Sequence, residues 1–142
     1  MIQRPLFIQW QARNEIGVAI LDEQHRGMVS IINTFYYLLG LGIGSSTLYA
    51  NISETLKTYA RIHFLTEEKL LETAAYKDIE AHKELHSKFM QELERVEWRA
   101  VRENEAEHLL DFQKKWWLEH INERDKRFVQ YVLADGKAAQ KK

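Results

Sequence analysis

The sequence predicts an all-α fold, an antiparallel up-down-up-down four-helix bundle with an extended N-terminal arm. Three observations predict it. The only proline among the 142 residues is Pro5, so nothing after it forbids helix. Four stretches carry apolar residues at the 3–4 spacing of one helical face. Short breaks separate them, and no strand-like alternation competes.

Residues 1–21 read as the arm, with scattered apolar groups from Leu6, Phe7, Ile8 and Trp10 to Ile20 and Leu21. Asp22 is the expected N-cap of the first helix, with Glu23 in its first turn. Its inner face is His25, Met28, Val29, Ile32, Phe35, Tyr36 and Leu39, and Gly40, Gly42 and Gly44 end it. Ser45, Ser46 or Thr47 can cap the second helix. That helix has the face Leu48, Ile52, Leu56, Tyr59, Ala60, His63, Glu67, Leu70, Leu71 and Ala74. A break at Ala75-Tyr76-Lys77 leads to Asp78, a cap for a third face of Ile79, His82, His86, Phe89, Leu93 and Val96. The next turn falls within Arg102 to Glu107. The fourth face is Leu109, Phe112, Trp116, His120, Phe128 and Val132. Gly136 is the expected helix end, and 135–142 the basic tail of a single domain spanning 1–142, with the bundle over 22–134.

Composition narrows the function classes. With 45% hydrophobic and 29% charged residues the chain is neither low-complexity nor broadly disordered. Its formal charge of −1 offers no general attraction to nucleic acid or an anionic membrane. The longest near-apolar run, Phe35 to Gly44, is far short of the ~20 residues of a membrane span. The N-terminus lacks a signal-peptide pattern, and a cytoplasmic location is expected. No cysteine is present, which excludes disulfides, Fe–S clusters, zinc–thiolate sites and thiol catalysis. Any metal must be held by nitrogen and oxygen.

The histidines point to such a metal. His25, His63, His82, His86 and His120 all fall on the apolar faces, distributed over the four helices. Each unsatisfied ring nitrogen in a core costs about 1–3 kcal/mol. One such residue is ordinarily a satisfied core histidine; five need a common partner, and a metal in the bundle core supplies one. Glu67 lies four residues after His63, and His86 four after His82, so each pair sits only ~40° apart on its helix. Asp125 lies five residues after His120, ~140° round an α-helix, which is poor for chelating one atom. It is tolerable if the carboxylate reaches sideways to a second metal. Seven ligating side chains exceed the about four that one Zn²⁺ takes. Imidazole suits Fe, Cu, Ni and Zn; carboxylates add harder character, and iron fits the mixture.

Other motifs carry less. His82-Lys83-Glu84-Leu85-His86 has Lys83 where a zinc protease needs its glutamate base. The single Glu-x-x-His string, Glu105 to His108, has no second copy and reads as a solvated helix start, leaving His108 as the one surface histidine. Phe64, Phe89, Phe112, Trp116 and Trp117 read first as core filling. Glu68 reads as a surface or supporting carboxylate. Gly27, mid-helix at a cost of about 1 kcal/mol relative to Ala, fits either a close helix contact near the site or neutral drift.

The ordered set His25, His63-x-x-x-Glu67, His82-x-x-x-His86 and His120-x-x-x-x-Asp125 resembles the hemerythrin family. So do Gly17-Val18, Leu21-Asp22-Glu23-Gln24-His25, His63-Phe64, Glu67-Glu68 and Trp117-Leu118-x-His120-Ile121; the resemblance covers roughly residues 10 to 132. It implies two non-haem iron ions. His82, His86 and His120 would ligate one, His25 and His63 the other, and Glu67, Asp125 and a solvent-derived oxo or hydroxo group would bridge them. The second iron would then keep an open position for O₂, in a dry pocket shaped by Met28, Phe64, Trp117 and Leu118. The implied function is reversible O₂ binding for transport, storage or delivery, not enzymatic. The alternative is an O₂- or redox-sensing module that signals through a protein partner, with the same fold and site. The chain is mostly the bundle itself, which favours the carrier. His-rich ligation without an identifiable base or substrate pocket argues against a di-iron enzyme.

Overall fold

The computed structural model describes residues 5–42 and 45–140. Met1 to Arg4 of the expected arm, Gly44 of the expected loop, and Lys141 and Lys142 of the expected tail lie outside the described residues. Five α-helical segments follow in order: α1 (Ala19–Gly40), α2 (Ser46–Thr73), α3 (Ile79–Glu103), α4 (Ala106–Trp116) and α5 (Asp125–Gln140). A π-helical segment, Trp117–Arg124, joins α4 to α5, so these three pieces make one fourth helix. α1 packs on α2 and α4, α2 on α3, and α3 on α4, which closes a four-sided bundle.

The helix ends follow local chemistry. α1 begins at Ala19, so Asp22 is inside its first turn and not the N-cap. Its carboxylate instead reaches back along the chain, accepting the Ile16 N–H at 2.8 Å and the Gly17 N–H at 3.2 Å. The Ser45 hydroxyl caps α2 by accepting the Leu48 N–H at 3.2 Å. Asp78 holds the N-cap position of α3, but its side chain makes no capping bond. Asn104, with φ 55°, is the left-handed residue that ends α3 inside the expected turn. Gly136 does not end the last helix. α5 runs on to Gln140, because no proline follows and Ala138, Ala139 and Gln140 favour helix.

The arm is tied to the bundle by one buried amide. Asn33 accepts the Ile8 N–H at 2.8 Å and donates to the Ile8 carbonyl at 2.9 Å. Ile8 is buried, Phe7 stacks on Tyr36 with centroids 4.7 Å apart, and a 3₁₀ turn (Ala12–Asn14) follows.

Two interiors share the four helices. One half is apolar: Ile32, Phe35, Leu56, Leu93, Val96 and Leu109 fill it. Lys57 enters this half on the face of α2, a burial the apolar pattern did not reveal. Its ammonium pairs with Glu97 at 2.8 Å and with Glu54, which satisfies the charge. In the first turns of α2 the inward residues are Tyr49 and Ser53, one position on from the expected Leu48 and Ile52. The other half holds the histidines, and Ile16, Leu21 and Val129 form a small apolar cluster of their own. Gly27 of α1 faces Tyr59 of α2: a Cβ there would lie 2.1 Å from the Tyr59 hydroxyl, so the predicted close contact is real. Among the described residues no helix is long and apolar enough to cross a membrane.

The π segment resets the fourth face. Inward residues step from Leu109 through Gln113, Trp116 and His120, then skip five to Asp125 and on to Val129. The expected Phe128 and Val132 are only half-buried, because the extra residue in the π-turn rotates everything after it.

Candidate metal centre

Seven side chains from all four sides of the bundle meet in its interior. His25 comes from α1, His63 and Glu67 from α2, His82 and His86 from α3, His120 from the π segment and Asp125 from the first residue of α5. Each is at most 4% exposed. Helix spacing brings them there. His63 and Glu67 lie one α-turn apart, as do His82 and His86. His120 and Asp125 lie one π-turn apart: the Asp125 N–H bonds the His120 carbonyl, and a π-turn closes over five residues. Residues five apart then stack as residues four apart do in an α-helix. The 140° separation expected of a regular helix is removed, and His120 Nε2 lies 3.7 Å from Asp125 Oδ1.

The two carboxylates divide the histidines into two groups. Asp125 Oδ2 lies 3.0 Å from His25 Nε2 and 3.2 Å from His63 Nε2, while its other oxygen faces His120. Glu67 Oε2 lies 3.5 Å from His63 Nε2. Its Oε1 contacts His82 Nε2 and lies 3.3 Å from His86 Nε2. Each carboxylate therefore offers one oxygen to the His25–His63 side and the other to the His82–His86–His120 side. His25, His63 and Asp125 form one group able to hold a metal ion, and Glu67, His86 and His120 another, with ligand atoms within 4.8 Å of one another in each.

The donor set fits a metal. His86 Nε2, His120 Nε2, Glu67 Oε2 and Asp125 Oδ1 are buried without a hydrogen-bond partner among the described residues. Leaving such groups unpaired costs about 1–3 kcal/mol each, and cations held between them would remove that cost. The electrostatics agree. Burial pushes the His120 imidazole down to about 4, so it stays neutral and able to coordinate. Burial also lowers His25. Burial alone would raise Glu67, but the hydrogen bond from His82 and the close His86 and His63 imidazoles outweigh it and hold the carboxyl well below its usual range. In His63, burial is outweighed by the hydrogen bond and charge of Asp125, and its pKa rises.

Gln24 is a residue the sequence pattern passed over. Its Nε2 donates to Thr66 Oγ1 at 3.0 Å, which fixes the amide, and its Oε1 lies 3.1 Å from His63 Nδ1. An acceptor there keeps a proton on Nδ1, which leaves Nε2 as the ring nitrogen that would turn to a metal. The only signal was a polar residue next to His25 in Leu21-Asp22-Glu23-Gln24-His25. Glu68 lies 3.8 Å from His86 Nδ1, and His108 is exposed.

Aromatic rings wall the centre. Phe64 stacks on His86 with centroids 3.9 Å apart, and Trp116 stacks on His120 at 5.5 Å. Met28 and Trp117 are buried. Leu118 is not with them. It is 42% exposed and lines a surface groove beside the arm, because two residues before His120 falls on nearly the opposite side of the helix. Trp10 of the arm meets Trp117 at 6.0 Å and lies under the Arg26 guanidinium, which pairs with Glu15 at 2.9 Å.

A four-helix bundle with buried imidazoles and shared carboxylates defines a metal-binding protein of nitrogen and oxygen ligation. The family model described as "Hemerythrin HHE cation binding domain" matches residues 16–132. The chain is 30% identical over 125 residues to the bacteriohemerythrin of Clostridium acetobutylicum, covering 84% of this chain and 97% of that protein. It is 31% identical over 126 residues to a Pseudomonas aeruginosa bacteriohemerythrin, covering 87% and 80%. With the myohemerythrin of Theromyzon tessulatum it shares 28% over 123 residues, covering 84% and 89%. A crystal structure of a hemerythrin mutant superposes with a TM-score of 0.76 at 22% identity, over 90% of this chain and 98% of that one, showing the same fold. The chain belongs to the hemerythrin family, whose members bind O₂ at a non-haem di-iron centre.

Proposed function

We propose that this chain binds O₂ reversibly at a di-iron centre, for transport, storage or delivery, and is not an enzyme. The observation that carries the proposal is the division of both carboxylates between the two histidine groups. His82, His86 and His120 would hold one iron and His25 and His63 the other, with Glu67 and Asp125 offering an oxygen to each. The iron pair supplies the electrons that make O₂ binding possible and reversible. Two Fe²⁺ would bring four positive charges, and the Glu67 and Asp125 carboxylates would offset two of them, which lowers the cost of burying the pair.

The chain's own residues do the rest. Gln24 holds His63 in the ligating tautomer. Glu67 and Asp125, both deep in the bundle, would each present one oxygen to either histidine group. Phe64, Met28, Trp116 and Trp117 exclude water, which would otherwise displace the bound ligand.

A visible spectrum of the iron-loaded protein, cycled between O₂ and argon, tests this reading. Charge-transfer bands that appear and vanish over repeated cycles are expected. Rapid irreversible oxidation on the first exposure would overturn the carrier reading and favour a sensor.

A further inference from the structure

On the outside of the bundle, behind the centre, lies a concavity of about 580 Å³ lined by Tyr76, Arg127, Phe128, Gln130, Tyr131 and Ala134. Its rings are in series. Phe128 meets His82 edge-on with centroids 4.3 Å apart, Tyr76 packs on Phe128 at 5.2 Å, and Tyr131 on Tyr76 at 4.8 Å. Ring contacts thus run unbroken from His82, 2% exposed, to Tyr131, 47% exposed. A second series, Trp116 to Phe89 to Phe112, passes along the core and ends on a half-buried ring.

We propose that this concavity binds a planar heteroaromatic two-electron carrier of the flavin class, which reduces the oxidised centre through Phe128 and His82. The inference rests on the reading of His82 as an iron ligand. The volume lies in the range of small-molecule sites, about 300–1,000 Å³. Tyr76 and Tyr131 offer ring faces and edges for stacking. Burial, with Asp78 and Tyr131 nearby, pushes the Tyr76 phenol up, so that ring stays neutral. Arg127 stands on the same wall, exposed, and its planar fork matches a phosphate. The seven side chains are buried, so a soluble carrier would deliver its electrons from outside the bundle. The step balances. A reduced flavin gives two electrons and releases two protons, each of two ferric ions takes one electron, and the protons leave through the open mouth.

The test uses the iron-loaded, oxidised protein with flavin mononucleotide, and riboflavin as the form without phosphate. Flavin fluorescence should be quenched on addition of protein. Arg127→Gln should weaken binding of the mononucleotide about tenfold and leave riboflavin unchanged, whereas Tyr131→Leu should weaken both. In anaerobic stopped flow, reduction by the reduced mononucleotide should slow several-fold in Tyr131→Leu, while reduction by dithionite should not. Iron content, measured on each protein, reports the centre separately. Absence of quenching in protein carrying its iron, or variants that bind and reduce like the parent, would overturn the flavin site and leave the centre standing. Absence of iron from the parent protein would overturn the reading on which the site rests, whatever the flavin does.

Discussion

α2 and the fourth helix each send one histidine and one carboxylate to the same centre, on different backbones. In α2, His63 and Glu67 are four apart on regular α-helix. In the fourth helix, His120 and Asp125 are five apart, and a π-turn closes the gap. The regular helix places a pair by sequence spacing alone. The irregular one converts an unfavourable spacing into a shared face and then carries the rotation onward, which is why Val129 and not Phe128 is buried. π-turns occur mostly as single turns at functional sites, and here the turn brings Asp125 within reach of His25, His63 and His120 together.

The largest effect should come from Asp125→Ala. It removes the group that faces three histidines from two sides, and loss of essentially all iron is expected by metal analysis; retention of two irons would show that α2 alone organises the centre. Next is deletion of Asn122, which shortens the π-turn and turns all later residues by ~100°. Circular dichroism should stay helical while iron is lost. An unchanged iron content would mean the spacing does not depend on the π-turn. On the α2 side, Gln24→Leu removes the acceptor for His63 Nδ1 and should weaken iron binding by about 10–100-fold without unfolding the bundle, measured by competition with a chelator.

The metal-free protein should lose stability as pH falls from about 6.5 to 4. His120 stays neutral when folded down to about 4 but takes a proton near its ordinary value when unfolded, so the unfolded chain binds more protons in that window. His25 acts in the same direction, and Glu67 extends the loss to lower pH. His63, whose pKa is raised, opposes them by gaining stability in acid. The urea midpoint should drop between pH 7 and 5; a rise would mean that His63 dominates. The smallest effect belongs to the outermost pair: Arg26→Ala, removing an exposed bridge to Glu15 and a contact on Trp10, should cost about 1 kcal/mol or less in urea denaturation.

These differences also explain what was legible in the sequence. Periodicity placed the inner faces of α1 and α3, and that of α2 from Leu56 onward, because regular helix repeats every 3.6 residues, and histidines on apolar faces expose themselves by their polarity. The fourth face slipped after His120, since periodicity assumes a constant turn and the π-turn breaks it locally. The family resemblance pairs His120 with Asp125 regardless, but spacing alone gave no reason for it. Asp22 looks like a cap from sequence, and whether it caps a helix or the strand-like chain before it depends on where Gly17 (φ 95°) bends the backbone. Gln24 and Lys57 are tertiary matters. Their roles depend on Thr66 and Glu97, both far away in sequence.

The central claim is that two carboxylates divided between two histidine groups hold two metals. Anaerobic titration of the metal-free protein with Fe²⁺, followed by metal analysis after desalting, tests it most directly. The account predicts uptake that stops at two ions per chain. Saturation at one ion, or none retained, would contradict it.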